Sequence, residues 1–205
     1  MVLKKLSILA IVTVSIGALS ACTASPDQVV SKSATDAQSM MTQLSAIQTQ
    51  EDTLQEAFET DLAADESLAN LTDSGTGATR ENLQTRQDDF EELSSIFEDF
   101  QKQVESLNGF DETDFTGAED FANFDQSRQL ASNVNSQMSA YIEHYQKVLE
   151  LEDNYYNSLA AEDSDLDTFS KGLGEINSQF EQSQAALSDI LPDLTSLAEK
   201  TNQAQ

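Results

Sequence analysis

Few residues of this chain could carry chemistry, and the first is Cys22, its only cysteine. It follows Leu19-Ser20-Ala21, so an aliphatic residue and two small residues precede the thiol. That order is a lipobox. The Cys22 thiol would receive a diacylglyceryl group, and a peptidase would cut the Ala21–Cys22 bond, which small side chains leave accessible. Upstream stand Lys4 and Lys5, then an apolar run from Leu6 to Leu19 broken only by Ser7, Thr13, Ser15 and Gly17. No acidic residue occurs before Asp27. A charged start, a short apolar core and a small-residue exit describe a secretory signal. The run is too short and too broken to span a membrane, which takes about 20 apolar residues. Residues 1–21 are therefore expected to be cleaved, leaving Cys22 as a lipidated N-terminus on the extracytoplasmic face of the cell membrane. Two acyl chains suffice for stable attachment. The alternative is an ordinary secretory signal with a chance cysteine. With one cysteine, no internal disulfide can form.

The remaining candidates do not assemble a reaction centre, and no catalytic residue or metal ligand is expected. His144 is the only histidine, so no second imidazole or thiol can join it around a metal. A serine nucleophile would need His144 as its base, yet no G-x-S-x-G elbow occurs. Gly75 and Gly77 lack the Lys-Ser/Thr of a phosphate loop. Acid pairs are common: Asp88-Asp89, Glu91-Glu92, Glu119-Asp120, and Glu150 with Glu152. A glycosidase needs two carboxylates flanking a sugar cleft, and a slim helical protein without tryptophan is expected to offer little cleft. Asp111-Glu112-Thr113-Asp114 invites a calcium reading but lacks the spaced ligands and closing Glu of an EF-hand. All four tyrosines, Tyr141, Tyr145, Tyr155 and Tyr156, lie close together. Three fall on an apolar seam and read as core. Tyr156 is expected to point elsewhere, beside Asn154 and Asn157. These three form the candidate contact surface for a glycan or peptide, because tyrosine offers an apolar face and a hydroxyl.

Charge narrows the partners. The full chain carries 10 basic and 37 acidic side chains, a net charge of −27. Residues 1–21 hold two of the lysines and none of the acids. The remaining 184 residues thus set eight basic against 37 acidic side chains, −29. Nucleic acids and anionic lipid heads are recognised through Lys/Arg patches, so neither is an expected partner. Most of the acids read as solvated helix faces. Loosely bound Ca²⁺ or Mg²⁺ could relieve their repulsion; no other cofactor is expected.

The elements that must position these residues read as helices. Residues 22–36 are Ser/Thr/Ala/Asp-rich and read as the lipidated cysteine with a flexible tether. Ser25-Pro26-Asp27 can also cap a helix, with proline at the first helical position, which would turn the tether helical early. A first amphipathic segment runs from about 37 to 71 through Met41, Leu44, Ile47, Leu54, Phe58, Leu62, Leu68 and Leu71. A second, from about 80 to 107, spaces Phe90, Leu93, Phe97, Phe100, Val104 and Leu107 alternately by three and four, an a/d seam. Phe110, Phe115, Phe121 and Phe124 should plug one end of the core, with Thr116 and Glu119 as a capping box. The third segment keeps the same alternation through Ala131, Val134, Met138, Tyr141, Tyr145, Val148, Glu152, Tyr155 and Leu159. Glu152 is its one charged intruder. Ser164 with Asp167 reads as the next capping box. The fourth segment places Leu166, Phe169, Leu173, Ile176, Phe180, Leu187, Leu191, Leu194 and Leu197 on one stripe. Gly172 and Gly174 should admit a close neighbour or bend the rod, and Pro192 should kink or split the helix. No strand pattern follows the signal. The expected fold is all-α: an elongated, antiparallel, coiled-coil-like bundle of about four helices over 37–201, with a tail at 202–205.

The stretch from Tyr141 to Tyr156, YIEHYQKVLELEDNYY, leading into Phe169 and Ile176-Asn177 behind a lipobox, resembles the YkyA-type cell-wall-binding lipoproteins of Gram-positive bacteria. The resemblance covers roughly residues 37–200. It implies a non-enzymatic protein held outside the membrane and facing the wall, and it supplies no catalytic residues. Wall teichoic acids are polyanions that a body of this charge should repel, so peptidoglycan is the expected wall ligand. The alternative is an envelope-protein partner, in an assembly, chaperone-like or exclusion role. A solute receptor of an importer is disfavoured by the lack of strands, since such receptors close two α/β lobes over a cleft.

Overall fold

The computed structural model describes residues 24–64, 68–72, 75–159 and 165–202. Ala21, Cys22, Ser164 and the expected signal lie outside them. Four long helices follow one another: α1 (Pro26–Ala64), α2 (Ala78–Leu107), α3 (Ala118–Leu159) and α4 (Leu166–Ala198). Short 3-10 turns occur at Ala69–Leu71, Glu112–Asp114 and Glu199–Asn202. Among the described residues there are no strands, and no helix is long and apolar enough to cross a membrane. The helices form an all-α antiparallel bundle in which α1 packs on α2 and α3 on α4, and the two hairpins then pack together. Gln38 of α1 reaches the Ala198 carbonyl of α4 at 3.1 Å, which sets the start of α1 beside the end of α4.

The start of α1 corrects the expected tether. The helix begins at Pro26, and Ser25 and Gln28 cap it reciprocally: the Ser25 amide donates to Gln28 Oε1 at 3.0 Å, and the Gln28 amide donates to Ser25 Oγ at 3.4 Å. Val29, Ser33, Ala34 and Ala37 are buried. Small residues there let neighbouring helices come close, so a stretch poor in large apolar side chains is core.

Each seam runs at three-four spacing, as the pattern requires. In α2 and α3 it comprises the anticipated residues, with Phe90 half-buried. In α4 the buried line is Ile176, Ser183, Leu187, Ile190, Leu194 and Leu197. Leu191, expected in the stripe, is exposed, and so are Phe169 and Leu173. The helix continues through Pro192 rather than splitting, because the buried leucines on either side hold both halves to the core. At the other turn, Asp165 caps α4 by accepting from the Thr168 amide at 2.8 Å, the role expected of Ser164. Thr116 donates its hydroxyl to Asp120 at 3.3 Å rather than pairing with Glu119. The phenylalanine plug forms, with Phe115 and Phe124 centroids 4.8 Å apart.

One buried acid joins the two helices of the first hairpin. Asp61 of α1 accepts from the Ala78 and Thr79 amides, both at 2.8 Å, so α1 caps the start of α2. The N-cap position itself is Gly77, where a Cβ would come within 2.5 Å of Asp61 Oδ2. Asp61→Ala is expected to cost about 2 kcal/mol in urea unfolding, since it strands two helix-terminal amides. Gly77→Ala should also destabilise, and by clearly less when Asp61 is already alanine; equal costs in both backgrounds would refute the close-approach account.

Candidate binding cleft

The hairpins part on the side where the second half of α1 faces the first half of α4. The opening is a cleft of about 590 Å³, within the size range of small-ligand sites. Leu54 and Phe58 of α1 line one side, and Phe169, Leu173 and Phe180 of α4 the other. Tyr155 and Tyr156 of α3 lie between them, and Arg86, Glu152 and Glu51 form a charged floor. Gly172 permits this shape: a Cβ there would meet the Tyr155 ring at 2.4 Å. Gly174 has no such neighbour.

The floor is a polar network inside the bundle. Arg86 is 1 % exposed and its Nη2 donates to Glu152 Oε2, joining α2 to α3. Its Nε donates to Asn82 Oδ1 at 2.9 Å. Asn82 Nδ2 in turn donates to the Gln50 carbonyl of α1 at 2.7 Å, so the chain of bonds crosses three helices. Burial works against the guanidinium charge, but the adjacent Glu152 carboxylate outweighs it and holds Arg86 protonated beyond its ordinary range. Burial also pushes the hydroxyls of Tyr141, Tyr145 and Tyr156 well up, keeping them neutral.

Glu51 adjoins this network, with the Tyr145 hydroxyl, Arg86 and Glu152 close by. One of its oxygens accepts weakly from Gln184 Nε2 at 3.4 Å. The other, Oε1, is buried and has no hydrogen-bond partner. Burial raises its carboxyl to about 6; the nearby Tyr145 hydroxyl and Arg86 charge oppose the rise, while Glu152 and Asp52 add to it.

Other residues singled out in the sequence are distributed as follows. Tyr156 is buried on the cleft wall rather than pointing away from the seam, because Tyr155 turns toward Gly172 and Phe169 of α4 and leaves the adjacent face to Tyr156. Asn154 is exposed, with Nδ2 on the Glu150 carbonyl at 2.8 Å, and Asn157 Nδ2 donates to the Asp153 carbonyl at 3.0 Å. His144 is half-buried, and its Nδ1 lies 2.9 Å from Gln179 Nε2. Asp111 and Asp114 serve a capping box at the Glu112–Asp114 turn. Among the described residues no three His, Cys, Asp or Glu side chains converge as a metal site. Sequence reading missed Arg86 and Glu51. Both were findable: stepping back four from Phe90 reaches Arg86, and stepping on four from Ile47 reaches Glu51, each inside its seam.

Two outcomes follow. Arg86→Met should destabilise by about 3–5 kcal/mol, because Glu152 is left charged and buried, and Arg86→Met with Glu152→Leu should recover most of it; chemical denaturation reads both. Glu51 ordinarily ionises near 4.5 but holds its proton to about 6 when folded. Between those values the folded state binds more protons than the unfolded state, so stability falls as pH rises, by on the order of 2 kcal/mol in all. Glu51→Gln should remove that fall, so its melting temperature relative to wild type climbs between pH 4.5 and 6.5 and then levels. A flat difference across the range would contradict a desolvated Glu51.

The model of one protein family, described as "Putative cell-wall binding lipoprotein", matches residues 24–202. No curated protein and no solved structure gives a significant match. The match spans all four helices and includes every residue of the cleft. The chain belongs to the YkyA family of the cell envelope.

Proposed function

We propose that this protein is a lipid-anchored module on the outer face of the cell membrane that binds peptidoglycan without chemically altering it. The observation carrying this reading is the placement of the cleft along the rod. The α1 helix starts at Pro26, four positions after Cys22, so an acyl anchor there leaves almost no slack. Phe58, on the cleft wall, lies about 50 Å further along α1 at ~1.5 Å per residue. An anchored bundle would then stand off the bilayer with its cleft toward the wall. Aromatic walls suit such a ligand, since ring faces pack on the apolar faces of sugars and on peptide methyls. The family description supports binding rather than catalysis. Divalent cations bound loosely among the exposed acids would lower repulsion from an anionic wall.

A second reading draws on Phe169 and Leu173, which line the cleft yet are exposed, and on Leu62, also exposed on α1. Exposed apolar side chains of this kind also suit an envelope-protein partner. Crosslinking in intact cells separates the two.

The anchor is tested by metabolic labelling with an alkynyl fatty acid. Wild type should incorporate label and Cys22→Ala should not; labelling of the variant would remove the lipoprotein reading. Binding is tested by co-sedimentation of the fragment starting after Cys22 with purified peptidoglycan, with and without Ca²⁺. Retention is expected, and absence of retention in both conditions would eliminate the wall-binding reading.

A further inference from the structure

Four charged side chains occupy seam positions of the bundle, where the pattern calls for apolar ones: Glu51, Asp61, Arg86 and Glu152. Three have partners that account for them. Asp61 caps α2, and Arg86 and Glu152 pair across α2 and α3. Glu51 has only weak ones, Gln184 at 3.4 Å and the neighbouring Tyr145 hydroxyl. Its Oε1 is buried in the bundle and makes no well-formed hydrogen bond, and a carboxylate so poorly paired is costly to bury. The floor therefore holds two carboxylates and one guanidinium, and the guanidinium is already engaged. Glu51 lines the cleft and is only half-buried, so a second cation can approach its carboxylate from that side. We propose that the cleft receives a primary ammonium group borne on an apolar side chain, specifically the free amine of a peptidoglycan stem peptide, with Glu51 as its counter-ion.

The walls fit that ligand. Methylene and methyl groups beside an amine would lie against Leu54, Phe58, Phe169 and Leu173, and the Tyr155 ring could face the ammonium. Arg86 is committed to Glu152, so the floor offers no free cation for a ligand carboxylate or phosphate. A polyanionic wall polymer would also meet a body at −29, whereas a cationic side chain is attracted to it. The raised carboxyl of Glu51 agrees with this geometry: without a bound cation it tends to protonate, and an ammonium would hold it ionised.

The inference rests on the wall-binding reading, and the test separates the two. The mature lipidated chain, extracted in nonionic detergent, is co-sedimented with peptidoglycan stripped of teichoic acid. The peptidoglycan is used either with its amines free or after acetylation with acetic anhydride. Wild type should be retained on the free-amine material and about tenfold less on the acetylated material, the scale of one charge-assisted hydrogen bond. Glu51→Gln, with its fold checked by circular dichroism, should bind both materials at the lower level. Lowering the pH from 7.5 to 5 should weaken wild type and leave Glu51→Gln unchanged. Equal retention of wild type on both materials would overturn the amine assignment while leaving wall binding intact. A Glu51→Gln protein that still discriminates between the materials would remove the cleft as the site. No retention on any material would overturn the wall-binding reading itself.

Discussion

The ion pair between Arg86 and Glu152 constrains everything around it. A charged group in a bundle seam cannot be left alone, because removing it from water costs several kcal/mol. The pair therefore fixes the register of α2 against α3 at one height, and Asn82 extends the constraint to the α1 backbone at Gln50. Apolar seams tolerate sliding by a heptad with modest loss. A seam with one buried guanidinium and one matching carboxylate does not, since any other register strands both. The pair is thus a specificity device more than a source of stability, in the manner of polar residues at coiled-coil a positions.

The same height is where the hairpins separate. Below it, toward the start of α1, small residues let the helices close: Ala34 and Ala37 are buried with no exposed surface. Above it, Tyr155 and Tyr156 line the cleft between the hairpins, whereas Tyr141 and Tyr145 lie below it against Phe90. Tyr141 and Tyr145 stack with centroids 5.5 Å apart, and Phe90 lies 5.7 Å from Tyr145. Gly172 then lets α4 come down onto Tyr155 at one point instead of along its length. Phe169 and Leu173 are exposed because the bundle is open where they face the cleft.

Periodicity made the four helices legible, because burial of a long helix face leaves three-four spacing in the sequence whatever the neighbours are. The α3 seam could be read residue by residue from Ala131 to Leu159, including Glu152. What could not be read was decided by partners distant in sequence. Glu152 needs Arg86, and the Gly77 position needs Asp61; nothing local announces either. The N-terminal extension of α1 was hidden because alanine and serine carry little apolar signal, although they pack well where backbones approach. Leu191 was misplaced because it and Ile190 offer equally apolar side chains one residue apart, and only the position of α1 selects Ile190. Tyr156 was misread for the same reason: adjacent aromatics can both be buried when two neighbouring helices flank the face.

These features order the roles of charge in the molecule. Its many exposed carboxylates act as a group, setting solubility and repelling polyanions, and no single one is critical. The seam charges act singly, each against a named atom. Asp61 holds a helix end, while Arg86 and Glu152 hold a register. A seam position is a poor place for an acid as weakly paired as Glu51, since substitution by glutamine or leucine would remove the desolvation cost without disturbing the helix. Glu51 nevertheless occupies one, at the floor of the cleft. Its position is intelligible if the protein tolerates a less stable empty state in order to bind a cation there, so that the stability withheld from the fold appears as affinity for the ligand.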